Sequence, residues 1–428
     1  MSTLAPAPEA PSELRGILDR RDVHAVYQPI HRLKEAEIVG FEALARGPAG
    51  SPLERPDLMF AAARADGLVG ELDHACRAAA FEGALAAGLK RGRWLTVNVE
   101  PAALATGVPA HLAAVLDRAA AELDVVIELT ERMLTAYPAA LLELVEQARR
   151  RGWRIALDDV GADPASLALM PLVHPDVIKL DLRIVQDRPS LEIARLVSAV
   201  NAEVERSGAV LLAEGIETEE HLRTALSLGA ALGQGWLWGR PGDLPTELPR
   251  PGRPLRLPER GRRSALATPF GDVTEERTPR EAKKALLFEV TRLLEREAAD
   301  LGESAVVLAT FQDVSNLTPA TLARYADLGS HSTFTGIFGR GVPSRPAPGV
   351  RGASLEDDDP LRHEWNIAVL GPHFAAALVS RDMGDGGSEE ERRFEYVLTY
   401  DRELVRRTAV AMMRRFEGDV ETLEAVLP

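Results

Sequence analysis

Between Ala25 and Trp236 the chain repeats one device: a short apolar, β-prone run that closes on a polar side chain. The runs are AVYQPI (25–30), EIVGFEAL (37–44), WLTVNV (94–99), VVIEL (125–129), RIALDD (154–159), DVIKLD (176–181), AVLLAE (209–214) and ALGQGW (231–236). Helical patterns such as AALLELVEQARRRG fill most gaps. The gap between the first two runs is too short for a crossover helix, so those two are expected to pair as an antiparallel hairpin. The rest reads as β/α repetition over roughly 240 residues, the size of a TIM barrel. The fold class expected is therefore α/β: a TIM-like (β/α)8 barrel with one antiparallel strand, followed by a smaller α/β domain.

The polar residues occupy one position in that pattern. Glu42 stands near the end of the second run, Asn98 near the end of the third and Glu128 on the fourth. Asp158 and Asp159 close the fifth run, Lys179 and Asp181 the sixth, Glu214 the seventh, and Gln234 sits on the last. In a β/α barrel the C-terminal strand ends converge on one mouth, where chemistry is placed. Carboxylates gathered there need counter-charge, because buried like charges are very unfavourable. The donors are oxygens without histidine or cysteine, which selects hard cations such as Mg²⁺ or Mn²⁺. Strict alternation forbids adjacent aspartates from both facing inward, but at a strand end the rule relaxes. Asp158 is then placed to bridge two metals, with Asp159 reaching the second. Two cations with a bridging carboxylate suit attack of water on a phosphodiester. Lys179 would orient that water or neutralise developing charge.

Taken singly, these residues have ordinary explanations. A glutamate at a strand end is usually a surface group, Asp-Asp is common in turns, and Asn98 fits a turn. It is the succession of compatible groups at successive strand ends that points to a metal-dependent site.

Composition narrows the setting. The formal net charge of −15 disfavours direct nucleic-acid partners and anionic membranes, which need basic surface. No apolar run is long enough to span a bilayer, and the start MSTLAPAPEAPSEL lacks the basic and apolar segments of a secretion signal. With Cys76 as the single cysteine, no disulfide framework or thiolate site is available, and a cytoplasmic setting is expected. Residues 1–20 read as a disordered leader and 21–241 as the barrel domain. Residues 242–278, rich in proline and arginine, read as a linker, and 279–428 as a second domain. At its start, EAKKALLFEVTRLLEREA has helical periodicity, with Leu286, Leu287, Val290, Leu293 and Leu294 on one face.

From Tyr27 to Pro241 the motifs YQPI, GFEALAR, VNVEP, IELTER, ALDDVG, IKLD, AEGIE and GQGWLWGRP resemble the EAL-domain family of cyclic-di-GMP phosphodiesterases. The resemblance implies Mg²⁺- or Mn²⁺-dependent hydrolysis of cyclic-di-GMP to linear pGpG, with two ions bound and Ca²⁺ inhibitory. It implies metal ligation by Glu42, Asn98, Glu128, Asp158, Asp159 and Glu214, and catalytic roles for Glu42, Lys179 and Glu214. Substrate contacts would fall to Gln28, Arg46, Asp181, Glu217, Gln234 and Pro241, and Glu131 would support the active-site loop. A homodimer is implied as well. One segment departs: the family's loop after the paired aspartates usually reads like DFGTGYSSL, and here it is DVGADPASL, with Val160, Asp163 and Pro164 in place of an aromatic and Gly-Tyr. That substitution stiffens a loop whose flexibility relies on glycine. The alternative is a non-hydrolysing or weakly active cyclic-di-GMP receptor that signals through protein contacts.

In the second half, DDDPLRHEWNIAVLGPHFAAALVSRD (357–382) and FEYVLTYDRELV (394–405) resemble the DICT sensory domain. The resemblance implies an unidentified small-molecule or protein signal and control of the first domain. Trp365 with Glu364 reads either as the lining of a pocket or, the favoured reading, as core packing with a capping carboxylate; Asp401 reads as a helix N-cap, and GRGVPSRPAPGVRG (339–352) as a mobile loop placed to cover a ligand.

Overall fold

A computed structural model describes residues 12–106, 108–247, 268–385 and 391–416. The first strands are β1 (His24–Arg32), β2 (Glu37–Arg46), β3 (Trp94–Asn98), β4 (Asp124–Leu129), β5 (Arg154–Val160), β6 (Val177–Leu180), β7 (Val210–Ala213) and β8 (Leu232–Gly233), closed into a barrel. Strand β1 pairs antiparallel with both β2 and β8, and every other neighbouring pair is parallel. The expected barrel with one antiparallel strand is therefore what forms. Ile30, Val39, Trp94, Val126, Ala156, Val177, Leu212 and Leu232 make a compact buried cluster of their own, one from each strand. Such a layer makes the interior of a small barrel a packed core rather than a pore.

The second domain is a seven-stranded mixed sheet, β9 (Arg280–Lys283), β10 (Val306–Asp313), β11 (Phe334–Arg340), β12 (Val350–Ser354), β13 (Ile367–Leu370), β14 (Ala375–Asp382) and β15 (Arg393–Thr399), in the order β12-β11-β10-β13-β14-β15-β9. Helices Lys284–Leu301 and Pro319–His331 cover one face. Helices Pro269–Thr274 and Arg402–Met413 cover the other, and the latter packs on the barrel helices Pro138–Arg150 and Ala165–Val173. One apolar cluster runs through that junction, joining Leu142 and Leu172 of the barrel to Leu404, Met412 and Phe416. Polar contacts reinforce it. Arg351 donates to the carbonyls of Thr135 and Ala136 at 2.6 and 3.0 Å, Arg414 pairs with Glu146 at 2.8 Å, and His174 Nε2 lies 3.5 Å from Glu403.

Four expectations change. Residues 1–11 of the anticipated leader lie outside the described residues, but Glu13–Arg20 is a helix capped by Ser12, and it buries Leu14 and Ile17. Those two apolar residues, three apart, suffice for one buried stripe against the neighbouring helices. Within the anticipated linker, 248–267 lie outside the described residues, whereas Pro269–Thr274 forms a helix that packs on Arg402–Met413. Proline at a first helical position loses no hydrogen bond, and Thr268 caps it. On Lys284–Leu301 the buried stripe is Leu287, Thr291, Leu294, Glu295 and Ala298, and Leu286 and Leu293 stay 51% and 47% exposed. At 100° per residue, the expected face was one position too wide. The segment 339–352 is pinned rather than loose: Val342 is buried and Gly352 N–H donates to Ser344 O at 2.8 Å.

Trp365 packs edge-on against Phe394, and the Glu364 carboxylate accepts from Phe270 N–H and Asn366 Nδ2. Asp401 caps its helix through Glu403 and Leu404 N–H. No described helix is long and apolar enough to cross a membrane.

Candidate metal centre

Strand register brings these residues to one level. Gln28 faces Glu42 across β1 and β2, and Asn98 faces Glu128 across β3 and β4. Lys179 comes from β6 into the middle, 1% exposed. Its ammonium lies 2.7 Å from Asp158 Oδ1, 3.0 Å from Glu128 Oε2, 3.0 Å from Glu214 Oε1 and 3.7 Å from Glu42 Oε1. One cation thus faces four carboxylates drawn from different strands or their ends.

That imbalance sets the protonation states. Burial pulls the Lys179 pKa down, but Asp158, Glu128, Glu214 and Glu42 overcome it and hold the ammonium well above its usual range. Burial, then the neighbouring Glu42 charge, pushes Glu128 well above the carboxylate range. Burial raises Glu214 to about 8 against the pull of Lys179, and burial with Asp158 raises Asp159 to about 6. Burial comes first in each case, and the neighbouring carboxylates add to it against the opposing pull of Lys179.

A backbone irregularity separates the paired aspartates. The β5–β6 register shifts between Leu157 and Val160, and Asp159 takes φ +51°. Aspartate tolerates this left-handed conformation better than most residues. Asp158 therefore stays buried against Lys179 while Asp159 turns to the exposed mouth. The following loop is tied down: Asp163 Oδ1 accepts Ala165 N–H at 2.8 Å, and Ser166 Oγ donates to Asp163 O at 2.7 Å. Pro164 then leads into helix Ala165–Val173. Gly161, at φ +104°, leaves no room for a side chain, since a Cβ would meet Leu196 at 2.8 Å.

Glu42 is bracketed by amides. Asn98 Nδ2 donates to its Oε1 at 3.3 Å, and Gln234 Nε2 donates to its Oε2 and to Gln28 Oε1. Gln28 and Gln234 are thus turned inward and bonded to this carboxylate's surroundings. Arg46 donates to Ala45 O and lines a cavity of about 330 Å³ with Asn98, Arg64, Asp73, Arg77, Glu100 and Arg132. Asp181 is buried, caps the next helix and pairs with Arg183 at 2.8 Å. Glu217 is exposed and Pro241 half-buried, beside the Tyr27–Gly242 bridge. Glu131 is half-buried just beyond β4, and burial raises its pKa. The cavity residues Arg64, Asp73, Arg77 and Arg132 were not anticipated; Arg132 directly follows Glu131 in IELTER, which was the available signal.

These groups fit hard divalent cations. One oxygen each from Asp158, Asp159 and Glu214 lies within 4.8 Å of the others. Both Glu128 oxygens and Asp158 Oδ1 are buried without a directed hydrogen bond, although Lys179 is close. Buried oxygens in that condition have lone pairs free to ligate an ion.

Residues 12–241 match the family described as EAL domain, and residues 267–382 match DICT, a sensory domain in diguanylate cyclases and two-component systems. Probable cyclic di-GMP phosphodiesterase PdeB of Escherichia coli is 30% identical over 239 residues, covering 53% of this chain and 44% of that protein. Cyclic di-GMP phosphodiesterase RocR of Pseudomonas aeruginosa is 30% identical over 254 residues, covering 56% of this chain and 62% of that protein. The chain therefore spans less than two thirds of either relative. A solved manganese/cy-diGMP complex of Klebsiella pneumoniae BlrP1 is 30% identical, with a TM-score of 0.46, over 52% of this chain and 56% of that one.

Proposed function

Because the chain belongs to the EAL-domain family, we propose that it hydrolyses cyclic-di-GMP to linear pGpG at the carboxylate cluster around Lys179, with Mg²⁺ or Mn²⁺ as cofactor. The observation that carries this reading is the charge imbalance. A single buried ammonium faces four carboxylates, with three carboxylate oxygens gathered within 4.8 Å at the mouth. Glu42, Asn98, Glu128, Asp158, Asp159 and Glu214 would hold two ions, and Ca²⁺ would inhibit. The bound ions supply Lewis acidity toward water and phosphate oxygens.

The chain's own groups do the rest. In the metal-free cluster the surrounding carboxylates hold the proton on Lys179, which suits it to act as a positive charge and hydrogen-bond donor. Glu42, held by Asn98 and Gln234, keeps its orientation during ligation. Arg46 lines the cavity beside Asn98, a placement that suits a phosphate. Asp181, Glu217, Gln28, Gln234 and Pro241 would contact the remainder of the dinucleotide, and Glu131 would steady the loop after β4. A homodimer in the cytoplasm belongs to the same reading.

The second domain is proposed to modulate this site. Arg351 holds Thr135 and Ala136 at the end of the short helix Arg132–Ala136 that follows the Glu128–Glu131 segment, and Glu403 meets His174 at the end of the helix that follows the aspartates. A second reading, a non-hydrolysing receptor, is favoured by the anchored Asp163–Pro164 loop. Product analysis with cyclic-di-GMP and Mn²⁺ separates the two: pGpG formation supports the enzyme, and binding without product supports the receptor.

A further inference from the structure

Against the turn that follows β3, helix Val69–Ala86 carries a string of buried polar groups that reaches the wall of the Arg46 cavity and has been given no role above. Asp73, His74 and Arg77 are 2%, 4% and 8% exposed. Asp73 Oδ2 accepts from Arg77 Nε at 2.8 Å, and Arg77 Nη2 lies 2.6 Å from His74 Nδ1. A guanidinium only donates, so His74 Nδ1 must accept and its ring proton must sit on Nε2. Nε2 then donates to Thr106 Oγ1 at 3.1 Å, and that hydroxyl donates to Ala103 O at 3.1 Å.

The second Asp73 oxygen reaches the metal loop. Oδ1 accepts the backbone N–H of Glu100 at 2.8 Å. Glu100 lies two residues beyond Asn98, at the head of the short 3-10 turn Pro101–Ala105. The string therefore grips the segment at both ends, Glu100 and Thr106. The approach is close: a Cβ on Gly70 would meet Thr106 Oγ1 at 2.7 Å. Asn98 itself sits at the exposed end of β3, with only a 3.3 Å contact from its amide nitrogen to Glu42. Its backbone is paired with Glu128 on β4, and the chain leaves that ladder at the turn Asp73 holds through Glu100 N–H.

We propose that Asp73, oriented by Arg77, is a positioning residue for Asn98. By fixing Glu100 N–H it sets the turn out of β3, and so the place where the Asn98 carboxamide oxygen meets a divalent cation. The ordinary reading, a helix-to-loop staple that only adds stability, predicts no change in metal affinity apart from unfolding. This inference rests on the metal-centre reading. Groups that orient a metal's ligands typically change its affinity by about 10–100-fold.

The test is direct Mn²⁺ binding to the metal-stripped full chain, followed by electron paramagnetic resonance, with kcat and the activating Mn²⁺ concentration read in parallel. Asp73→Ala is expected to weaken Mn²⁺ binding about tenfold, in the same direction as Asn98→Ala. It should shift the activating concentration more than kcat at saturating Mn²⁺. Ile337→Ala, in the second-domain core, supplies a loss of thermal stability that should leave Mn²⁺ affinity unchanged. If Asp73→Ala does not fold, Arg77→Met, which frees Asp73 from its holder, is read in the same way. Wild-type affinity in folded Asp73 or Arg77 variants, with Asn98→Ala weakened, overturns the positioning role alone. Absent Mn²⁺ binding by the wild type, or normal binding by Asn98→Ala, overturns the metal assignment beneath it.

Discussion

The ammonium of Lys179 lies 2.7 Å from Asp158 Oδ1, on the neighbouring strand, and this is the shortest of its four carboxylate contacts. The pair sits where β5 leaves regular register, so one residue later the chain can present Asp159 to the mouth. Charge balance and strand geometry thus meet at one point in the barrel.

Replacing Lys179 with methionine removes the cluster's cation while preserving most of the side chain's volume. Turnover at saturating Mn²⁺ is expected to fall about 100- to 1000-fold, the scale of a lost electrostatic stabiliser. Breaking a buried pair from one side also costs about 3–5 kcal/mol, read by urea unfolding of the metal-stripped protein. Unchanged kcat would mean that Lys179 only balances charge.

Metal-stripped protein should lose stability as pH rises. The Glu214 carboxyl stands at about 8 in the folded state, far above its ordinary value of 4.5. A raised carboxyl pKa favours the fold fully below the ordinary value, and that contribution disappears as pH climbs through the folded one. The melting temperature is therefore expected to fall by several degrees between pH 5 and pH 9, on the order of this titration range. Mn²⁺ should restore it most at the alkaline end, and Glu214→Gln should flatten the profile. A profile rising over this range, or one untouched by Glu214→Gln, would contradict the charge imbalance.

Much of this was legible in the chain. Apolar runs that carry Glu42, Glu128, Asp158 or Glu214 at or near their ends announce a barrel mouth, because strand direction converts sequence position into a place in space. Other features were not. The φ of Asp159 accompanies the break in register between β5 and β6, and nothing in the letters DD specifies it. Asp73 meets Glu100 27 residues away, and a helix acid four residues before an arginine looks like an ordinary surface pair. Leu14 and Ile17 were present in ELRGILDR, but the proline-rich start beside them read as leader. Leu286 and Leu293 belonged to the periodic pattern, yet only contact with the sheet decides which residues of a wide apolar face are buried.

Loosening the loop after Asp159 should speed the reaction. Asp163 accepts Ala165 N–H just ahead of the following helix, and Pro164 stands at its N-cap. The double substitution Asp163→Gly and Pro164→Tyr is expected to raise kcat about threefold or more, of the order of the glycine backbone freedom restored. Mn²⁺ affinity should change little. An equal or lower kcat clears the loop.

Contact between the domains should be felt at Thr135 and Ala136. Arg351→Ala removes two hydrogen bonds to their carbonyls, about 1–3 kcal/mol in local opening. Amide exchange over residues 130–137 should quicken in the full chain, with a change in the turnover rate. Unaltered exchange and turnover would remove Arg351 from the proposed control.

The central claim is catalysis at the Lys179-centred cluster, and the most direct measurement is the product formed from cyclic-di-GMP by the full chain with Mg²⁺ or Mn²⁺. The account predicts linear pGpG from the wild type, and none above background once Glu42 is replaced by alanine. Tight cyclic-di-GMP binding without pGpG at any concentration of either metal would contradict it.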